Sequence, residues 1–328
     1  MQEISIPSLD EIQRPIASRL DRVMEELRSI VTSDFDRIEE VNDYLALLRG
    51  KLFRPALVLL SNEVDGGRDD RAITLAAVVE LVHLATLVHD DAVDHSVLRR
   101  GQPTVNAMWT HQVAIIMGDY LYSRAITHLA RVGLMDAVTV MATAANEMSI
   151  GEMRQLTAFD ALGFSEEDYT CLIEAKTASL MKAACELGAL VGPAEYRSPL
   201  ARYGHALGMA FQVADDILDY TASEEETGKP TGHDLREHKV TLPLVGALRQ
   251  ADAAEMKLVR AVFDDPEPSD DAIERVVAWV AEAGGLEYAQ RRADAYADAA
   301  MEALSVVPSG EATEALVGTI AYATRRTR

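Results

Sequence analysis

The sequence predicts an all-α protein, and three observations carry that reading. Prolines stand at positions 7, 15, 55, 103, 193, 199, 230, 243, 266, 268 and 308, leaving long proline-free segments between them. Those segments are rich in Ala, Leu, Glu and Met, which favour the helix. Aromatic residues make up only 5% of the chain, and the apolar/polar alternation of half-buried strands is scarce. With 328 residues and 48% apolar content, the chain can bury a large core. Its apolar residues are spread evenly and no Ser/Gly-rich joint interrupts them, so residues 1–328 are expected to form one domain.

Charge narrows the function classes. A formal net charge of −22 argues against a nucleic-acid binder and against docking on an anionic membrane, because both need a basic face. Cys171 and Cys185 form no CxxC pattern and sit in helix-like surroundings, as reduced core residues of a cytosolic protein do. The start "MQEISIPSLDEIQRP" has acidic residues and no apolar leader. No later run approaches the roughly 18 apolar residues of a membrane span. A soluble, cytoplasmic protein without a transmembrane segment is expected.

In chain order, "GKLFRP" is expected to set Lys51 and Arg54 one helical turn apart. Next comes "RAITLAAVVELVHLATLVHDDAVD", a helix apolar almost all round and hence buried, with Asp90, Asp91 and Asp94 at its carboxyl end. That is an odd place for carboxylates. Asp90 and Asp94 repel across one turn, at a cost of about 0.2–0.5 kcal/mol, and the helix dipole opposes all three. A divalent cation would remove both penalties. "LRRGQP" then supplies Arg99 and Arg100, and "EAKTASL" supplies Lys176 and Thr177. A second helix, "ARYGHALGMAFQVADDILDY", ends in Asp215, Asp216 and Asp219. After it, "TASEEETGKPTGHDLREHK" reads as a polar loop with Gly228, Pro230 and Gly232 as breakers, bearing Lys229 and Lys239.

A single DDxxD reads as a solvated acidic helix end, and isolated Lys and Arg as surface charges. Two copies on separate buried helices offer hard oxygen ligands on two walls, as a site for several Mg²⁺ ions needs. Mg²⁺ keeps waters and bridges a few carboxylates to substrate phosphates, so the substrate should carry phosphate.

The ordered set "GKLFRP", "HDDAVDHSVLRRGQP", "AKTASL", "FQVADDILD" and "GKPTGHDLREHK" resembles the trans-type isoprenyl diphosphate synthases, the polyprenyl synthetase family, from about Lys51 to Lys239. The resemblance implies an all-α helical bundle around a deep central cavity, usually as a homodimer, acting through about three Mg²⁺ ions per active site. It implies Asp90, Asp94 and Asp215 as principal metal ligands, with Asp91, Asp216 and Asp219 as further ligands or supporting groups. Arg99, Lys176, Lys229 and Lys239, with Thr177 and Gln212 nearby, resemble the residues that hold an allylic prenyl diphosphate. Lys51, Arg54, His83 and Arg100 resemble the isopentenyl diphosphate site. His83 lies seven residues before Asp90 and so shares its helix face, although a lone helical histidine is more often a core residue.

The chemistry such a site implies is ionisation of the allylic diphosphate, with metals and cations stabilising the leaving group away from water. The double bond of isopentenyl diphosphate then attacks the allylic cation, and the departing diphosphate takes the final proton. Asp90, Asp94, Lys176 and Asp215 are the candidate catalytic residues.

Two departures stand out. Arg49 precedes Gly50 where relatives often have a second glycine, and "EHK" replaces a frequent "EGK", so His238 is expected to restrict the lysine loop. The ending "IAYATRRTR" resembles tails that approach the isopentenyl diphosphate site, and is expected to be a frayed, solvated terminus.

A growing prenyl chain should run beside the helix that precedes Asp90. Ala85 and Thr86, one turn back, are small, and Leu81, Val82 and then Val78 lie deeper, Val78 about 18 Å from Asp90. The expected product is therefore medium or long. Shorter farnesyl or geranylgeranyl products are the alternative within the family. A class I terpene cyclase fits less well, since its second metal motif mixes Asn, Ser/Thr and Glu where this chain has "DDILD". A regulatory subunit of a two-component synthase would be expected to have lost an aspartate cluster.

Overall fold

A computed structural model describes residues 6–47, 50–99, 101–157, 161–221 and 231–325, and the all-α expectation holds. Ser8 opens α1 (Leu9–Gln13) through a capping box with Glu11, and a tight turn over Arg14–Ile16 leads into α2 (Ala17–Val31). There follow α3 (Asp36–Leu47), α4 (Phe53–Asn62) and α5 (Arg71–Val93). A two-stranded ribbon, β1 (Leu98–Arg99) and β2 (Gln102–Pro103), turns at Gly101 with φ +74°. Then come α6 (Val105–Met108), α7 (His111–Arg131), α8 (Met135–Thr157) and α9 (Glu166–Ile173). A π-helical turn over Glu174–Ala178 joins α9 to α10 (Ser179–Leu190). Next are α11 (Arg197–Thr221), α12 (His233–Arg236), α13 (Leu242–Leu248) and α14 (Ala253–Phe263). The last are α15 (Asp270–Glu282), α16 (Gly285–Leu304) and α17 (Glu311–Arg325).

The main core gathers α5 between α2, α4, α7 and α10. Leu75, Ala76, Val78, Val79 and Val82 of α5 are fully buried, as expected of a helix apolar all round. Two close approaches depend on glycine. A Cβ on Gly188 of α10 would fall 2.2 Å from Val58 O of α4, and one on Gly208 of α11 would fall 2.6 Å from the Cα of Ala178. Satellite clusters around Leu235 and Trp279, and around Tyr169 and Met209, pack α9 and α12–α16 against the far end of α11.

Four sequence expectations need correction. First, α5 is long and apolar enough to cross a membrane, but 61% of that window is buried inside the protein, as in a core helix. Glu80 and His83 interrupt its apolar run without removing its average character. Second, Lys51 and Arg54 do not share a helical turn, because Leu52 is left-handed at φ +51° and α4 begins only at Phe53. Third, Cys185 is buried but Cys171 is half-exposed. Fourth, part of the polar loop is the short helix α12, opened by Gly232 at φ +72°.

Candidate active site

The two acidic helix ends use their carboxylates differently. At the end of α5, the Asp94 N–H bonds Asp90 O at 2.8 Å, which keeps the two side chains one turn apart; Asp90 is half-buried and Asp94 exposed. Asp91 is 7% exposed and accepts Arg99 Nε at 2.9 Å on both oxygens and Nη2 at 2.8 Å. The Gly101 turn carries Arg99 back over the helix end to make this bidentate pair. Burial pushes Asp90 up to about 6, with Glu152 and Asp94 adding to the rise and Lys176 and Arg99 opposing it.

At the end of α11, Asp215 is exposed and Asp216 is 4% exposed. Tyr169 Oη donates to Asp216 Oδ2 at 2.6 Å and Gln212 Nε2 to its Oδ1 at 2.8 Å, while Thr177 Oγ1 donates to Gln212 Oε1 at 2.8 Å. Thr177 therefore fixes which end of the Gln212 amide faces Asp216. Burial, and then the charges of Asp234 and Asp215, raise the Asp216 carboxyl well above the usual range against these two donors. Asp219 accepts the N–H groups of His233 and Asp234 at 3.2 and 3.1 Å and so holds the start of α12. Burial and the Asp219 charge push Asp234 up to about 7, with Lys239 opposing.

Between the two ends lies a cavity of about 680 Å³ whose lining includes Asp94, Lys176, Gln212, Asp216, Asp234 and Lys239. Lys176 stands on the π-helical turn, a distortion frequent at functional sites, and its Nζ bonds Glu152 at 2.5 Å and Gln155 at 2.7 Å on α8. Lys239 Nζ bonds Glu237 at 2.6 Å. Burial works to lower its pKa, but the Glu237 bond and the charges of Glu237, Asp94 and Asp234 outweigh it and leave it raised. This one ammonium thus feels a carboxylate of the α5 end and one of α12. Among the described residues no three His, Cys, Asp or Glu side chains converge to cage a metal by themselves. A Mg²⁺ site completed by water and substrate phosphate needs only one or two carboxylates per ion.

Arg54 Nη1 lies 2.9 Å from His83 Nε2, so two residues 29 positions apart meet. Lys51 Nζ lies 3.3 Å from Tyr322 Oη and 6.0 Å from that ring's centre. Phe53 stacks between Phe211 and Tyr322, each ring centre 5.9 Å away. The expected frayed terminus is therefore corrected: α17 runs to Arg325 because Tyr322 and its neighbours pack on α4. Val78, Leu81, Val82 and Ala85 are buried and Thr86 is half-buried. Arg100 and Lys229 lie outside the described residues.

Sequence reasoning did not single out Tyr169, Glu152, Gln155, Asp234 or Tyr322. Asp234 stood in the quoted lysine loop, and Tyr169 stands seven residues before Lys176, the spacing that puts two residues on one helix face. Glu152 and Gln155 carried no motif.

Known proteins resemble this chain throughout. The profile of the polyprenyl synthetase family matches residues 35–280. An octaprenyl diphosphate synthase of Haemophilus influenzae is 35% identical over 98% of both chains. A geranyl-diphosphate-specific all-trans-nonaprenyl-diphosphate synthase of Rhodobacter capsulatus is 36% identical over 96% of this chain and 97% of its own. A crystal structure of a polyprenyl synthase from Caulobacter crescentus, complexed with calcium and isoprenyl diphosphate, superimposes with a TM-score of 0.93 at 32% identity over 99% of both chains.

Proposed function

The chain belongs to the polyprenyl synthetase family, and from that premise we propose that it is a Mg²⁺-dependent prenyltransferase of the cytoplasm. It condenses isopentenyl diphosphate with an allylic prenyl diphosphate, head to tail, into an all-trans polyprenyl diphosphate of medium or long chain. The observation that carries this reading is one cavity lined by Asp94 of the α5 end and Asp216 of the α11 end together with the cations Lys176 and Lys239. The octaprenyl and nonaprenyl relatives support the product class.

The residues fit Mg²⁺. Asp90, Asp94 and Asp215 offer hard oxygen donors at the two acidic helix ends, and a bound cation would offset the burial that pushes Asp90 up to about 6. About three ions per site, held by these aspartates with Asp216, Asp219 and Asp234 behind them, would neutralise the allylic diphosphate and stabilise charge on the leaving group. Lys176 and Lys239 stand beside the cavity to bind its oxygens, and Arg99 stiffens the α5 end through Asp91. Lys229 and Arg100 complete the two diphosphate subsites in this reading. Lys51, Arg54 and His83 hold the second diphosphate, leaving its double bond facing the allylic carbon. The allylic C–O bond breaks, the new C–C bond forms, and the proton lost from isopentenyl diphosphate passes to the departing diphosphate. The prenyl tail runs past Ala85, Thr86, Val82, Leu81 and Val78, the positions taken to set its length.

The chain folds in this reading as one domain and acts as a homodimer. Ile115 and Ile116 of α7, and Ile150, Met153 and Leu156 of α8, are exposed, an apolar face that a second copy would cover.

The test incubates purified protein with Mg²⁺, labelled isopentenyl diphosphate and five-, ten-, fifteen- or twenty-carbon allylic primers, and sizes the dephosphorylated products. A ladder ending at one long length is expected. Asp90→Ala and Asp215→Ala should each lower turnover by about 10²–10³-fold. Primer lost to hydrocarbon without extension would favour a cyclase, and wild-type turnover in either variant would remove the metal assignment.

A further inference from the structure

Helix α12 has four residues, His233–Arg236, too few to hold a helix unaided. Its start hangs on the α11 end. The Gly232 N–H bonds Asp219 O at 2.8 Å, and the Asp219 carboxylate accepts the N–H groups of His233 and Asp234. Its other end closes in a Schellman pattern: the Lys239 N–H bonds Asp234 O at 2.8 Å and the His238 N–H bonds Leu235 O at 3.1 Å. That pattern calls for a left-handed residue, and His238 supplies it at φ +55°, where glycine carries no steric cost. A histidine is unfavourable there on backbone grounds, so the compensating gain has to come from its side chain.

His238 Nε2 lies 2.9 Å from Asp265 O, just past the end of α14. A carbonyl only accepts, so Nε2 carries the proton and donates. The ring also lies 5.9 Å from that of Phe263, which packs on the cluster of Leu235 and Trp279. The anchor is stiff, because Pro266 restricts the backbone of Asp265 and Asp265 Oδ1 accepts the Glu267 N–H at 3.1 Å. Arg236 Nη1 makes a second tie, to Asp270 Oδ1 of α15 at 2.6 Å. The Asp270 side chain is 83% exposed, and such a surface pair contributes little. The firmer tie is therefore that of His238.

Glu237 and Lys239, on either side of His238, both line the cavity between the acidic helix ends, and their side chains meet at 2.6 Å. We propose that His238 is a positioning residue for the allylic diphosphate, fixing through Asp265 the backbone from which Lys239 reaches that cavity. The inference rests on reading the cavity as the allylic diphosphate site. A lysine on a freely swinging backbone loses that freedom when it binds, and the His238 tie removes part of the loss in advance. The Lys239 ammonium has three donors and Glu237 takes one, so a lysine held in place still offers two to diphosphate oxygens. His238 borders the cavity as well, but its Nε2 donor is spent on Asp265, so it acts through Lys239 instead of holding the diphosphate itself.

The probe is geranyl thiolodiphosphate, an unreactive ten-carbon allylic analogue, titrated calorimetrically with Mg²⁺ into the full-length protein. The proteins compared are the wild type, His238→Gly, Lys239→Met and the double variant. Glycine suits the backbone at this position, so His238→Gly keeps the cap of α12 and deletes only the tie. It should weaken the thiolodiphosphate about fivefold, the worth of ordering one long side chain, and leave the KM for isopentenyl diphosphate unchanged. In the Lys239→Met background the same change should have no further effect, because the two residues act as one unit. His238→Asn tolerates the left-handed backbone but reaches less far toward Asp265, and should match His238→Gly. Equal affinity in the wild type and His238→Gly, an undiminished loss when Lys239 is absent, or a matching rise in the KM for isopentenyl diphosphate would overturn the inference and leave the prenyltransferase reading standing. No binding to the wild type would overturn that reading and the inference with it.

Discussion

Tyr169 Oη donates to Asp216 Oδ2 at 2.6 Å, tying α9 to the acidic end of α11 across 47 positions. The phenol is one of two side-chain donors recorded on that buried carboxylate, Gln212 being the other. Tyr169→Phe should destabilise the protein by about 1–3 kcal/mol, the cost of a buried polar group left short of a partner, read from urea unfolding. It should also raise the Mg²⁺ concentration needed for half-maximal turnover, because Asp216 stands next to Asp215. An unchanged urea midpoint would show that Asp216 finds another donor.

The raised carboxyls set a pH dependence with a definite sign. Asp90 moves from 3.8 to about 6 and Asp234 from 3.8 to about 7, so the folded protein holds these protons more tightly than the unfolded chain. Their contribution to stability is complete below the unfolded value and is lost as pH rises through the folded values. In EDTA the urea midpoint should therefore carry a declining component between about pH 4 and 7. Saturating Mg²⁺ with a diphosphate should remove it by binding the ionised forms. A decline of equal size with and without the metal would separate these carboxyls from the ion.

Lys51 and Tyr322 meet over 271 positions through a 3.3 Å contact. Tyr322→Phe keeps the ring on Phe53 and deletes the hydroxyl, so the KM for isopentenyl diphosphate should rise about threefold with the KM for the allylic substrate unchanged. Equal rises in both would mean a general loosening of α17 rather than a role at one subsite.

Glycine substitutions should separate rigid from yielding neighbours. Gly188→Ala drives a Cβ to 2.2 Å from the Val58 carbonyl, and the two helix backbones can relieve that only by moving apart. A loss of about 3 kcal/mol in denaturant unfolding is expected. At Gly118 the atom met is the far end of the His89 ring, with a side chain 37% exposed, which can swing away. Gly118→Ala should cost less than about 1 kcal/mol.

His238 shows how far a local signal reached. Its replacement of a frequent glycine pointed to a restricted loop, and the residue sits at φ +55°, left-handed backbone that favours glycine. A hydrogen-bond contact of its Nε2 with Asp265 O at 2.9 Å and a ring contact with Phe263 hold it there. Those partners lie 27 and 25 positions away, and no local pattern names them. The pairing of Arg99 with Asp91 was hidden for a related reason. Both residues were visible as charges, but which charge faces the substrate depends on a turn at Gly101 that folds one onto the other.

Helix content and the acidic helix ends were legible because propensity, apolar periodicity and motif order are properties of neighbouring residues. The same is true of the division of the cations among motifs. The tertiary structure alone decided that Asp91 and Asp216 are buried against protein donors while Asp90 is half-buried and Asp94 and Asp215 are exposed. It alone brought Glu152, Gln155, Tyr169 and Tyr322 to the residues the motifs supply. Burial and charge pairing depend on which surfaces meet when helices far apart in sequence pack together, and the strength of each interaction depends on the water that packing excludes.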